Sequence, residues 1–248
     1  MVALPYDRQV VGSTTIVARR DLMAAFVHAT HGGSLYEWAA RQPERRAFTG
    51  RLPAYAVRLP FDGPAVVVRH NHHGGWMAKL RGDRFVLPRA PLELAVAEFL
   101  RSRDIATPAV LGFVITRESF FTKRSDVATA ELPSGFDLGA VLTDPHATAL
   151  RTEAWPAVRH LLHDLAAAGA WHPDLNVKNI HLSRADDGTV RAAVLDVDRV
   201  RLGEPGEIVA KANAGRLRRS LERWQRQYGV QLSADERAML DIPTGRRA

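Results

Sequence analysis

Between two apolar runs lies AWHPDLNVKNIHLS, residues 170–183, in which His172, Asp174, Asn176 and Asn179 crowd together. A second acid, Asp196, ends the run RAAVLD, and the stretch between carries Asp187-Gly188, a strong hairpin signal. A hairpin returns its end to its beginning, so Asp174, Asn179 and Asp196 can converge. An amide oxygen and a carboxylate are hard ligands suited to Mg²⁺, which keeps several waters and shares its shell with phosphate oxygens. Asp174 is then left to accept a proton from a substrate hydroxyl, the division of labour that phosphoryl transfer requires. Taken singly, each of these residues also fits a turn or cap.

The elements that must position this cluster follow a gradient from strand-like to helix-like. Residues 48–87 are short, β-rich and turn-punctuated (YAVRLP, AVVVRH, WMAKL), the pattern of an antiparallel meander. Leu92 to Asp104 repeats apolar residues at 92, 96, 99 and 100, one face of a helix, and strands are expected over 108–116 and 126–132. Together these predict a small antiparallel sheet with one helix. Beyond LPSGFDLG a long amphipathic helix is expected through Leu150, Val158, Leu161, Leu162 and Leu165, with Gly169 as its stop and Pro156 at a first turn or a kink. The last helix, around AGRLRRSLERWQRQYG, carries Leu217, Leu221, Trp224 and Tyr228 at intervals of four, three and four.

HPDLNVKN, followed by a hairpin and LDVD, resembles the His-x-Asp-x-x-x-x-Asn loop and metal-binding aspartate of the protein-kinase-like fold. More narrowly, DLN, VVVRHNHHGGWMAKL, LDVDR and ANAGRLRRSL, in this order, are similar to the bacterial lipopolysaccharide kinases that phosphorylate 3-deoxy-D-manno-octulosonic acid (Kdo). The resemblance runs from about Gly50 to Leu221. It implies an α+β, two-lobed fold: a nucleotide-binding β-rich lobe over 1–132 and a mainly helical catalytic lobe over 133–248. It further implies that His172 supports the loop, that Asp174 orients the sugar hydroxyl, and that Asn179 and Asp196 hold Mg²⁺ beside ATP. Asn176 points to the sugar kinase subgroup without an assigned task. Arg69 takes the place of the phosphate-gripping lysine and Glu93 is its partner, with Lys79 the rival cation. A guanidinium fork can hold phosphate and carboxylate together. Gly50 and Arg51 open the phosphate-covering turn, although Leu52 and Pro53 replace the glycine expected next. Backbone atoms near Glu131 and Leu132 would take the adenine.

Composition narrows the remaining classes. The 248 residues are 46% apolar, carry a net charge of +7 and include no cysteine, which excludes disulfides and thiolate metal sites and fits a reducing cytoplasm. No secretory leader and no spanning run of apolar residues is evident, so neither export nor membrane spanning is expected. Six Lys or Arg against Glu222 alone crowd Lys211 to Arg226. With a lipid-linked Kdo acceptor, that patch is expected to attract the anionic cytoplasmic face of the inner membrane, although a solvated helix face is its plainer reading. Nucleic acid is not an expected partner, because no row of stacking aromatics accompanies the basic stripe. His70, His72 and His73 are expected at an anionic acceptor rather than a metal, and His160 and His163 as partly buried helix residues. Two alternatives share the same cluster: a phosphotransferase for a soluble molecule such as an aminoglycoside, and a catalytically silent kinase-like scaffold.

Overall fold

A computed structural model describes residues 5–48, 53–71, 89–117 and 123–241. The chain divides into two compact units, Met1–Ala95 with Ala109–Glu131, and Val96–Pro108 with Leu132–Ala248.

The first unit is built on one antiparallel sheet in the order β1-β2-β6-β7-β5-β4-β3. Its strands are β1 (Tyr6–Val11), β2 (Thr14–Arg19), β3 (Arg46–Phe48), β4 (Ala54–Arg58), β5 (Ala65–Asn71), β6 (Val110–Arg117) and β7 (Lys123–Ala130). The meander appears as β3 to β5; its last expected strand, WMAKL, lies outside the described residues, as do Lys79, His72 and His73. The segment before Arg46, which carries no chemistry-bearing motif, adds β1, β2, α1 (Met23–Thr30) and α2 (Leu35–Arg41). Both helices bury apolar side chains against one face of the sheet, where Phe26, Leu35, Val66 and Val68 are fully enclosed. Phe26 lies so close to the sheet that a Cβ on Gly112 would sit 2.6 Å from its ring, so only glycine fits there. Ser34 and Glu37 close a capping box on α2, and Asp126 of β7 accepts from the Tyr36 N–H at 3.0 Å, tying the helix to the sheet.

The helix α3 (Ala90–Arg101) is present, but its buried face is rotated from the one expected. Leu92 is 51% exposed while Glu93 is 2% exposed, because the acid has a cationic partner on β5. A carboxylate goes inside only when it is paired.

The second unit centres on α5 (Arg151–Ala167), which packs against β11 (Val190–Val194) and α6 (Glu207–Tyr228). Pro156 lies inside α5, past its first turn, so the Thr152 carbonyl loses its helical donor. At the far end Gly169 adopts φ +65, and a Cβ there would fall 1.9 Å from the Gly203 carbonyl oxygen. The left-handed turn and the close chain crossing both demand glycine. The hairpin of β10 (Ile180–Arg184) and β11 (Val190–Val194) forms as expected and gains a third strand, β8 (Gly135–Asp137), from LPSGFDLG. Asp137 then caps α4 (Leu138–Thr143) through the Ala140 N–H. Short strands β9 (Ala170–Trp171) and β12 (Arg201–Leu202) pair beside α6 (Glu207–Tyr228). The last element among the described residues is α7 (Ala234–Ala238), whose Glu236 meets Arg151 and Trp155 of α5. Among the described residues no helix is long and apolar enough to cross a membrane.

Candidate active site

Alternation along β5 decides which side chains can act. Val66 and Val68 point into the α1–α2 core, so Arg69 takes the opposite face and ion-pairs with Glu93 of α3. Its neighbour His70 turns back toward α2 and meets the buried Asp126 at 2.6 Å. The expectation that His70 contacts an anionic acceptor is thereby overturned: its side chain is only 7% exposed and its partner is a carboxylate. Glu131 gives its carboxylate to Arg46 and its N–H to the Ala65 carbonyl at 3.3 Å. Leu132 follows as the first residue after the break between units. Gly50 and Arg51, assigned to the phosphate turn, lie outside the described residues.

The loop of the second unit is held from several directions. His172 is fully buried; its Nδ1 accepts from the Asp174 N–H at 3.2 Å, which leaves Nε2 to donate to the Leu195 carbonyl at 3.1 Å. Burial pushes this imidazole below its usual range, against the Leu195 carbonyl and the nearby Asp196, Asp174 and Asp198, and so favours the neutral ring. One uncharged tautomer thus links the loop to the end of β11.

Asn176 acts on the loop itself. Its Nδ2 donates to the Asp174 carbonyl at 2.8 Å and its Oδ1 accepts from the Lys178 N–H at 2.9 Å, capping the turn Val177–Asn179. The same Asp174 carbonyl accepts from Asn179 Nδ2 at 3.0 Å. That bond uses the donor end of Asn179 and leaves its Oδ1 as the end a cation would take. Across the hairpin the Leu195 N–H donates to the Asn179 carbonyl at 2.9 Å, placing Asp196 one residue from the strand pairing. Asp196 has φ 57 and ψ 53, a left-handed conformation that costs a non-glycine residue about 1–3 kcal/mol and that aspartate tolerates better than most.

Support from α6 was not legible in the sequence. Asn213, fully buried, accepts from the His172 N–H and donates to the Ala170 carbonyl, both at 2.9 Å. Arg216 donates to the Pro173 carbonyl at 2.9 Å and to Asp174 Oδ1 at 2.8 Å. Ser220 Oγ accepts from the Val177 N–H at 3.2 Å. The available signal was an amide and a hydroxyl on the same helical face as Leu217 and Leu221, because polar groups inside an apolar stripe need partners. Arg216 therefore leaves the solvent-facing basic stripe, and Lys211 and Arg218 pair with Glu207 and Asp241. Of the two helix histidines expected partly buried, His163 is so, while the His160 side chain is 73% exposed; both lie beside Asp164.

Comparison with known proteins gives this arrangement its place. The lipopolysaccharide kinase (Kdo/WaaP) family model matches residues 55–237. A 3-deoxy-D-manno-octulosonic acid kinase of Pasteurella multocida (strain Pm70) is 26% identical over 179 residues, covering 70% of this chain and 72% of the relative. The protein of that name from Xanthomonas oryzae pv. oryzae (strain PXO99A) is 30% identical over 177 residues, covering 69% and 67%. The solved structure of WaaP in complex with acyl carrier protein has a TM-score of 0.54 at 17% identity, over 87% of this chain and 83% of that one. With its α+β kinase-like fold, the chain belongs to the lipopolysaccharide kinase (Kdo/WaaP) family, whose members carry out phosphorylation in lipopolysaccharide core biosynthesis.

Proposed function

We propose that the chain transfers the γ-phosphoryl group of ATP to a hydroxyl of Kdo attached to lipid A precursor. The observation that carries the reading is the held carboxylate: Asp174 has Oδ1 on Arg216 and its carbonyl on two asparagines, while Oδ2 has no partner among the described residues. In the step, the acceptor hydroxyl oxygen bonds to the γ-phosphorus, and the bond from that phosphorus to the bridging oxygen breaks with its electron pair leaving on ADP. The hydroxyl proton passes to Asp174 Oδ2.

The donor set fits a divalent cation that keeps water and phosphate oxygens. Asn179 has its Oδ1 unspent, Asp196 lies beyond the strand pairing that ties Asn179 to Leu195, and no group of three His, Cys, Asp or Glu suited to a metal exists among the described residues. Asn179 and Asp196 would hold Mg²⁺, which when bound neutralises charge on the phosphates. Arg69, set by Glu93, would grip the α- and β-phosphates, and backbone atoms near Glu131 and Leu132 would take the adenine. The lipid-linked acceptor places the enzyme at the cytoplasmic face of the inner membrane. Arg219, Arg223 and Arg226 remain solvent-exposed on α6, each worth about 1 kcal/mol beside an anionic leaflet.

The test supplies purified protein with Mg-ATP and either Kdo-bearing lipid A precursor or an aminoglycoside. Labelled phosphate is expected on the first alone, and label on the aminoglycoside alone would overturn the proposal. Asp174→Asn is expected to lower kcat about 10²–10⁴-fold with nucleotide binding retained; an unchanged rate would remove Asp174 from its role.

A further inference from the structure

We infer that Arg216 is a positioning residue for phosphoryl transfer, acting through Asp174; the inference rests on the function proposed above. The loop has a cation of its own, Lys178, but its Nζ binds Asp137 at 3.1 Å and lies 5.1 Å from the Trp224 ring. The positive charge at Asp174 comes instead from α6. Arg216 is 18% exposed, and its planar fork meets two consecutive residues at once, Nε on the Pro173 carbonyl and Nη2 on Asp174 Oδ1.

Anchored by Nε on the Pro173 carbonyl, the rigid plane aims its other bond at Asp174 Oδ1 and so fixes the direction of the carboxylate, which a flexible ammonium would not do. His172 and the two asparagines hold the backbone of Asp174, but none of them touches its carboxylate. Among the described residues Arg216 alone does, and it takes one oxygen. The free oxygen, and hence the line along which an acceptor hydroxyl is held, is set by this side chain. A misplacement of about 1 Å at such a point costs on the order of 10²-fold in rate.

A double-mutant cycle tests the assignment in the full chain, using Arg216→Ala, Asp174→Ala and the double variant. Arg216→Ala is expected to lower kcat about 10²-fold with KM for ATP within about twofold, and to add less than about threefold to the loss in Asp174→Ala. Losses that multiply in the double variant, or a kcat for Arg216→Ala within about threefold of wild type, would overturn the inference. A role in fold stability alone predicts multiplying losses that track the fall in Tm. If Arg216→Ala does not fold, Arg216→Lys carries the cycle, with an intermediate loss that vanishes on the Asp174→Ala background. The proteins are read both on the lipid acceptor and by ADP formation in acceptor-free Mg-ATP. Wild type that forms ADP without labelling the acceptor overturns the substrate reading, and the cycle in ADP formation still decides Arg216.

Discussion

Replacing Asn213 by alanine gives the sharpest measure of how the loop is held. The amide is fully buried, and so are the two residues it joins, Ala170 and His172. Alanine leaves the His172 N–H and the Ala170 carbonyl without their 2.9 Å partners. Each unsatisfied buried group costs about 1–3 kcal/mol, so the loss should total about 2–6 kcal/mol. For a chain of this size that lowers Tm by about 4–24 °C. Urea unfolding followed by tryptophan fluorescence reads the change, since Trp171 lies between the two groups. Asn213→Leu keeps the branched shape and loses both bonds, so it should fall in the same range and separate hydrogen bonding from the loss of side-chain atoms. A loss below about 0.5 kcal/mol in both variants would refute the reasoning, because the backbone groups would then have found other partners.

Arg69→Ala should weaken ATP binding and also destabilise the first unit, because it removes the Arg69 ion pair from Glu93, which is 2% exposed. Isothermal titration with ATP and a melting curve measure the two effects, and ATP binding equal to wild type would transfer the phosphate role to Lys79. Acid stability should follow Glu236, whose carboxyl the Arg151 guanidinium holds at about 2. A depressed carboxylate stabilises the fold above its unfolded value near 4.5 and loses that contribution as pH falls toward about 2. Melting temperature against pH should therefore drop less steeply in Glu236→Gln between those limits, and parallel curves would remove Glu236 from the account.

The loop and hairpin were legible because the signals are local. Polar residues interrupt apolar runs, and Asp187-Gly188 marks the reversal. Arg69 and His70 show where locality fails. Alternation along a strand separates their faces, but which face holds Glu93 and which holds Asp126 depends on residues 24 and 56 positions away. The resemblance supplied Glu93 as the partner of Arg69, and the ion pair is present, but nothing in VVVRH announces that the histidine belongs to the core. The same holds for α6, where the basic stripe concealed one arginine that faces inward. The N-terminal strands and helices carried no motif at all, and only the need to cover a wide sheet explains them.

The loop and its support are separated in the chain by 41 to 43 positions. Synthesis proceeds from the N-terminus at about 5–20 residues per second, so His172 to Val177 leave the ribosome about 2–8 seconds before Asn213 and Ser220 exist to hold them. A nascent chain paused in that interval carries the complete signature without the clasp that orients it. Possession of the motif and possession of the held loop geometry are thus separate events in the life of each molecule, and the later one belongs to α6.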